Sequence, residues 1–179
     1  MFKFISMLFL SWFVSSVWAQ PNLHHHRSYQ HHYSPLTYAL RIGMDTNGNA
    51  LYLCRAKLFN SIQPGKTWAG YGHCNVAYGG KEYVLSKFTI PKQREFGNYN
   101  WERKKNNPIV IGKDTNGRLL YLCQSNFKGS IQPGKTWAGY NHCNISYAGQ
   151  EIITDYYHVL SSGNTIVVQA GPRPNVHFH

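Results

Sequence analysis

Short apolar runs, each closed by Gly, Asn or Pro, set the rhythm of this chain. Residues 50–56 (Ala-Leu-Tyr-Leu-Cys-Arg-Ala) are apolar and partly alternating, the pattern of a half-buried strand. Before them, Asp45-Thr46-Asn47-Gly48 signals a turn, because Asn-Gly tolerates the positive φ of a tight hairpin. After them, Gln63-Pro64-Gly65-Lys66 reads as another turn. Cys74-Asn75-Val76-Ala77-Tyr78 is a second strand, closed by Gly79-Gly80, and residues 82–90 are a third, which Pro91 ends. Helical periodicity is missing throughout. Short strands between closely spaced turn signals predict an all-β sandwich or barrel.

The same rhythm comes twice. Ser-Ile-Gln-Pro-Gly-Lys-Thr-Trp-Ala-Gly-Tyr stands at 61–71 and again, letter for letter, at 130–140, each followed after one residue by His-Cys-Asn. With a constant offset of 69 and no gap, 27 of 41 positions match between 42–82 and 111–151. Such a duplication marks one supersecondary module used twice, so any site within it is expected twice. The second copy repeats every predicted element, with 151–160 as its last strand. Between the copies, 91–108 carries Trp101 and the basic run Arg103-Lys104-Lys105 and reads as a linker. Residues 165–169 offer one further strand before a Pro-rich tail.

Charge and the two ends change the picture in different ways. Lys and Arg number 18 against 7 acidic residues, a net charge of +11. A basic balance favours anionic partners. Here the basic residues are scattered, with no basic helix or stripe, so neither nucleic acid binding nor membrane insertion is expected. Residues 1–19 begin with a single basic residue, Lys3, continue as an apolar run with embedded Ser, and end in Val17-Trp18-Ala19, as a cleaved secretory signal peptide does. The run falls short of the roughly 20 apolar residues that span a bilayer. Cleavage after Ala19 would remove Lys3 and no acidic residue, and the product is expected to be secreted or periplasmic. His24, His25, His26, His31 and His32 follow in an arm over 20–40. Clustered imidazoles take Zn²⁺, Cu²⁺ or Ni²⁺, but no fold sets their spacing, so no resident metal or cofactor is assigned. The chain thus divides into a leader (1–19), the His-rich arm (20–40), a first repeat (41–91), a linker and lead-in (92–108), a second repeat (109–160) and a tail (161–179).

Within the repeats the order of motifs resembles the DM9 repeat family. Gly43, Asp45, Gly48, Leu51-Tyr52, Cys54-Arg55, Pro64-Gly65-Lys66, Cys74, Tyr78, Gly80 and Glu82 carry the resemblance in the first copy. Gly112, Asp114, Gly117, Leu120-Tyr121, Cys123, Pro133-Gly134-Lys135, Cys143, Tyr147, Gly149, Glu151 and Val159-Leu160 carry it in the second, with a lead-in at Tyr99-Asn100-Trp101. His32 stands where the first copy would place the lead-in Trp, and Gln124 replaces the Arg that follows the strand Cys. The resemblance implies a tandem pair of DM9 repeats forming one compact antiparallel β unit with pseudo-twofold symmetry and strands exchanged between halves. Members of that family include mannose-binding lectins of innate immunity; others carry the repeats beside a pore-forming module.

The resemblance also implies a site. In lectin-type members an Asp of the first turn and the Lys of Pro-Gly-Lys hold the sugar, matching Asp45 with Lys66 and Asp114 with Lys135, 21 residues apart in both copies. The chemistry suits a vicinal diol, since a carboxylate accepts and an ammonium donates charge-assisted hydrogen bonds. Asp also opens Asx turns whatever its function, and a Lys in a turn is often only a solvated cation. Trp68, Trp137, Tyr71 and Tyr140 stack on the apolar face of a pyranose or pack into the core. His73 and His142 read as hydrogen-bonded structural residues, and Glu82 and Glu151 as braces for the Lys or strand caps. Cys54, Cys74, Cys123 and Cys143, two per repeat and 20 apart, allow three disulfide connectivities. Pairing Cys54 with Cys74 and Cys123 with Cys143 respects the repeat, strand exchange permits cross-repeat pairs, and four buried thiols remain an alternative. Asn144-Ile145-Ser146 is a glycosylation sequon placed within a predicted strand.

No nucleophile elbow, zinc-protease motif or phosphate loop is present, so a binding protein is expected rather than an enzyme. The leading expectation is a secreted mannose-type lectin with one glycan site per repeat, directed at cell-surface or microbial glycans, with a homodimer allowed. The alternatives are a basic adhesive protein for anionic polysaccharide or membrane surfaces, and metal capture by the His-rich arm.

Overall fold

Local turn chemistry sets most of the hairpins. In the computed structural model, which describes residues 35–163, twelve of the thirteen strands form two copies of one antiparallel unit, with a short 3-10 helix and one further strand between them. The first copy runs β1 (Arg41–Met44), β2 (Ala50–Leu58), β3 (Ser61–Thr67), β4 (Cys74–Tyr78), β5 (Lys81–Leu85) and β6 (Phe88–Thr89). The 3-10 helix (Gln93–Phe96) and β7 (Tyr99–Glu102) follow. The second copy is β8 (Val110–Lys113), β9 (Leu119–Phe127), β10 (Ser130–Thr136), β11 (Cys143–Tyr147), β12 (Gln150–Thr154) and β13 (His158–Ser162). The all-β expectation holds. The segment read as a linker is built into the sheet instead, because β7 pairs with β13 from Glu102↔Val159 to Tyr99↔Ser162. The stretches at 82–90 and 151–160 are each two short strands rather than one. The predicted strand at 165–169 lies outside the described residues.

Gly48 and Gly117, at φ 84° and 86°, turn β1 into β2 and β8 into β9. The β4–β5 hairpin turns on Gly79-Gly80, and the β11–β12 hairpin on Ala148-Gly149. Ala148 holds φ 49°, a left-handed value that a Cβ resists. Ala148→Gly is therefore expected to relieve about 1 kcal/mol and raise the thermal midpoint by a few degrees in calorimetry. An unchanged or lower midpoint would show that the turn is not strained.

Gln63-Pro64-Gly65-Lys66 is not a turn. It lies in the middle of β3, and its repeat lies in β10. One edge of β3 pairs with β2 along its whole length, Tyr52↔Thr67 to Leu58↔Ser61. The other edge is shared: Ile62 pairs with Lys113 of β8, and Lys66 pairs with Asn75 of β4. Pro64 falls where the partner changes, so no ladder bond on that edge is asked of it. Gly65 lies beneath the disulfide, and a Cβ there would stand 2.7 Å from Cys74 Sγ and 2.5 Å from the Asn75 carbonyl oxygen. Close packing, not a bend, calls for the Pro-Gly pair.

The partner change joins the halves. β1 pairs with β10 through Met44↔Ile131, as β8 pairs with β3. Strands β1, β2, β3, β8, β9 and β10 close into a ring, from which the hairpins β4–β5 and β11–β12 extend and meet at Lys81↔Gln150. The ring interior is filled from both copies by Leu40, Ile42, Leu53, Ile111, Leu122 and Leu160, with Phe96. Each copy keeps a smaller apolar cluster around its own disulfide. The disulfides are Cys54–Cys74 and Cys123–Cys143, each tying a second strand to a fourth within one repeat, and among the described residues no free cysteine is left.

Candidate functional site

Strand exchange brings the lysine of each repeat against polar groups of the other. Lys66 Nζ donates to Gln132 Oε1 at 2.5 Å and to the carbonyl oxygen of Ser146. It lies 3.9 Å from Glu82 Oε1 and 5.8 Å from the Tyr147 ring centre. Lys135 repeats this, donating to Gln63 Oε1 at 2.8 Å and to the Ala77 carbonyl oxygen at 2.5 Å, with Glu151 Oε1 at 3.7 Å and the Tyr78 ring at 4.8 Å. At 6% and 5% exposure, these are not the solvated cations of a turn. Burial pushes the Lys66 ammonium down to a pKa of about 8, against the pull of Glu82 in the opposite direction. Lys135 is lowered by the same cause, opposed by Glu151 and Asp114.

A chain of hydrogen bonds holds each glutamate in place. Tyr71 OH donates to Asn75 Oδ1 at 2.8 Å, and Asn75 Nδ2 donates to Glu82 Oε1 at 2.9 Å. Glu82 Oε2 accepts from the Gly149 amide of the opposite hairpin at 2.8 Å. Tyr140, Asn144, Glu151 and the Gly80 amide make the mirror chain. Glu82 and Glu151 are therefore braces for the lysines. The sequon residue Asn144 is buried within β11 and engaged on both amide atoms. His73 Nδ1 lies 3.0 Å from the Tyr71 carbonyl oxygen, and His142 Nδ1 lies 2.5 Å from Asp155 Oδ1.

The aromatic pairs are neither core nor bare surface. Trp68 stacks on Tyr71 with ring centres 3.7 Å apart, and Trp137 on Tyr140 at 3.8 Å. All four are half-buried and stand outside the three apolar clusters. Asp45, Lys66 and Trp68 meet in one cleft of about 190 Å³, lined also by Leu51, Asn75, Glu82, Gln132, Tyr147 and Ala148. The sequence pairing of Asp45 with Lys66 is thus spatial. Much of the Asp45 carboxylate is used by its own turn, accepting from the Asn47 and Asn49 amides at 2.8 Å and from Asn49 Nδ2 at 2.9 Å, which lowers its pKa. Asp114 is placed differently. It accepts from Gln63 Nε2 at 3.3 Å and from Arg118 Nη2 at 3.2 Å, and Gln63 in turn holds Lys135.

Sequence reasoning missed Gln63 and Gln132, the buried amides that receive each lysine across the repeats. Their one signal was identity between copies inside the exact eleven-residue match. Among the described residues, no three His, Cys, Asp or Glu side chains gather as a metal site would require, and no helix is long and apolar enough to cross a membrane. The five histidines of the arm and the leader lie outside the described residues, whereas the end of the arm is built into the fold, Ala39 bridging to Lys92 and Leu40 lying in the core.

Two copies of one meander, each burying a Pro-Gly-Lys lysine beneath the other, define a pseudo-twofold tandem-repeat β-barrel. The DM9 repeat family matches residues 23–154, and the chain belongs to that family. Among solved structures it is similar to the nematode sperm cell motility protein MFP2B, at a TM-score of 0.52 and 14% identity over 73% of this chain and 44% of that one. That likeness is one of fold, and it spans less than half of the nematode protein. No curated protein matches the chain.

Proposed function

We propose that this protein binds neutral, mannose-type sugars through the Asp45–Lys66–Trp68 cleft, acting as an exported lectin rather than an enzyme. The observation that carries the reading is the state of Lys66. Its ammonium has three donors. Two are taken by Gln132 and Ser146, while Glu82 at 3.9 Å is too far for a hydrogen bond. One donor on the cleft wall is left for a hydroxyl oxygen. Asp45, Asn75 and Glu82 supply acceptors along the same wall, and Trp68, stiffened from behind by Tyr71, supplies an aromatic surface. A pyranose needs this combination of acceptors, donor and flat apolar face. The two disulfides agree with export to an oxidising compartment.

The test is a glycan array at low and high salt, on the wild type and on Trp68→Ala, a half-buried position outside the three apolar clusters, with the fold of the variant checked by circular dichroism. Binding to mannose-type glycans should be unaffected by salt and weakened at least about tenfold in the variant, the loss of one stacking contact. Binding confined to sulfated or uronate glycans, erased by salt and kept in Trp68→Ala, would replace this reading with electrostatic adhesion by the basic chain.

A further inference from the structure

The two halves match in almost every residue of the lysine cage and differ at its mouth. Position 49 in the first repeat is Asn; its counterpart, 69 residues on, is Arg118. Asn49 folds into its own turn and bonds Asp45. Arg118 instead reaches across. Its Nη2 lies 3.2 Å from Asp114 Oδ2, and its guanidinium carbon stands 4.5 Å over the Trp137 ring. Asp114 and Trp137 are the counterparts of Asp45 and Trp68, two of the residues that line the open cleft of the first repeat. One side chain therefore spans the place where the second cleft would be.

Two further contacts fasten that side. Lys105 Nζ donates to the Trp137 carbonyl oxygen at 2.9 Å and also to that of Tyr140, fixing the loop that carries the stacked pair. Its counterpart at 36 is Leu, which has no ammonium to do so. The Tyr78 hydroxyl, on the wall of the second cage, lies 3.3 Å from Thr115 Oγ1 of the Asp114 turn.

We propose that Arg118 closes the second site, so that the chain carries one working glycan cleft and not two. This rests on the sugar-binding reading of the first cleft. A ligand entering the second site must displace Arg118 from both an ion pair and a cation–π contact, which weakens binding there by about ten- to a hundredfold. The duplication then supplies a binding half and a bracing half: Gln132, Ser146 and Tyr147 of the second repeat build the first site, whatever their own repeat binds.

The experiment is calorimetric titration of the full chain with mannotriose, comparing the wild type, Arg118→Asn and Asn49→Arg. Each variant installs the residue that the other repeat already carries in the same turn, so each has a precedent in this fold. The wild type should show one site per chain, Arg118→Asn should show two of similar affinity, and Asn49→Arg should lose the wild-type site. Two equal sites in the wild type, or a single site persisting in Arg118→Asn, would overturn the closure and leave the glycan reading intact. A second wild-type site appearing only with an oligouronate would overturn it as well, recasting Arg118 as an anion receptor. No binding in any of the three proteins would sink the glycan reading, and the closure with it.

Discussion

Glu82→Ala should destabilise the protein by about 3–5 kcal/mol, the cost of leaving a buried charge without its partner. The side chains of Lys66 and Glu82 are both 7% exposed, so water cannot take over for either. The glutamate also ends the Tyr71–Asn75 chain and binds the Gly149 amide, so its loss frees polar groups in both repeats. The pair itself is a weaker source of stability than this number suggests, because desolvating two charges nearly cancels their attraction. Removing both, in Lys66→Met with Glu82→Gln, is therefore expected to recover more than half of the loss. Urea denaturation of the single and double variants measures this. A single-variant cost below about 1 kcal/mol would mean that the cage is not organised around the ion pair.

Loss of the Lys66 proton should stabilise the fold in mild alkali. The Lys66 pKa falls from 10.5 in the unfolded chain to about 8 in the folded one. Below pH 8 both states hold the proton, and the native state bears the full cost of burying it. Between pH 8 and 10.5 the native lysine has lost its proton while the unfolded one keeps it, so the unfolded state binds more protons and stability rises with pH. The gap corresponds to about 3 kcal/mol at its upper limit. Lys135 shifts in the same direction and adds to the rise. Denaturation midpoints at pH 7 and pH 10 test this, with Lys66→Met as reference. The wild type should gain on the variant across that interval, and a wild type that loses ground would reverse the sign of the argument.

Features of this fold decided within a few residues could be read from sequence. Gly48, Gly79 and Gly80 turn the chain at positive φ, which a residue without a Cβ adopts most readily, and the repeat spacing of the cysteines survives as two disulfides. Pro64-Gly65 misled because the same two residues serve close packing: nothing local reveals that β3 changes partner at Pro64 or that a disulfide lies over Gly65. The linker reading of 92–108 failed for a related reason, since β7 is a strand only because β13 returns beside it. In the site, Asp45 and Lys66 were found together, but the environment of the lysine was not, because Gln132 and Ser146 are 66 and 80 residues away. Nor did the matching of the copies warn that position 118 would set them apart.

The sharing of β3 and β10 between repeats has a consequence for the order in which the protein can be made. A ribosome that has released the first repeat has delivered a β3 with half an edge unpaired and a Lys66 with neither of its acceptors. Closure of the ring awaits β8 to β10, and the first cleft awaits Tyr147, more than eighty residues after the lysine it covers. Neither half matures alone: the nascent chain must hold its first repeat open until the second has emerged almost entirely.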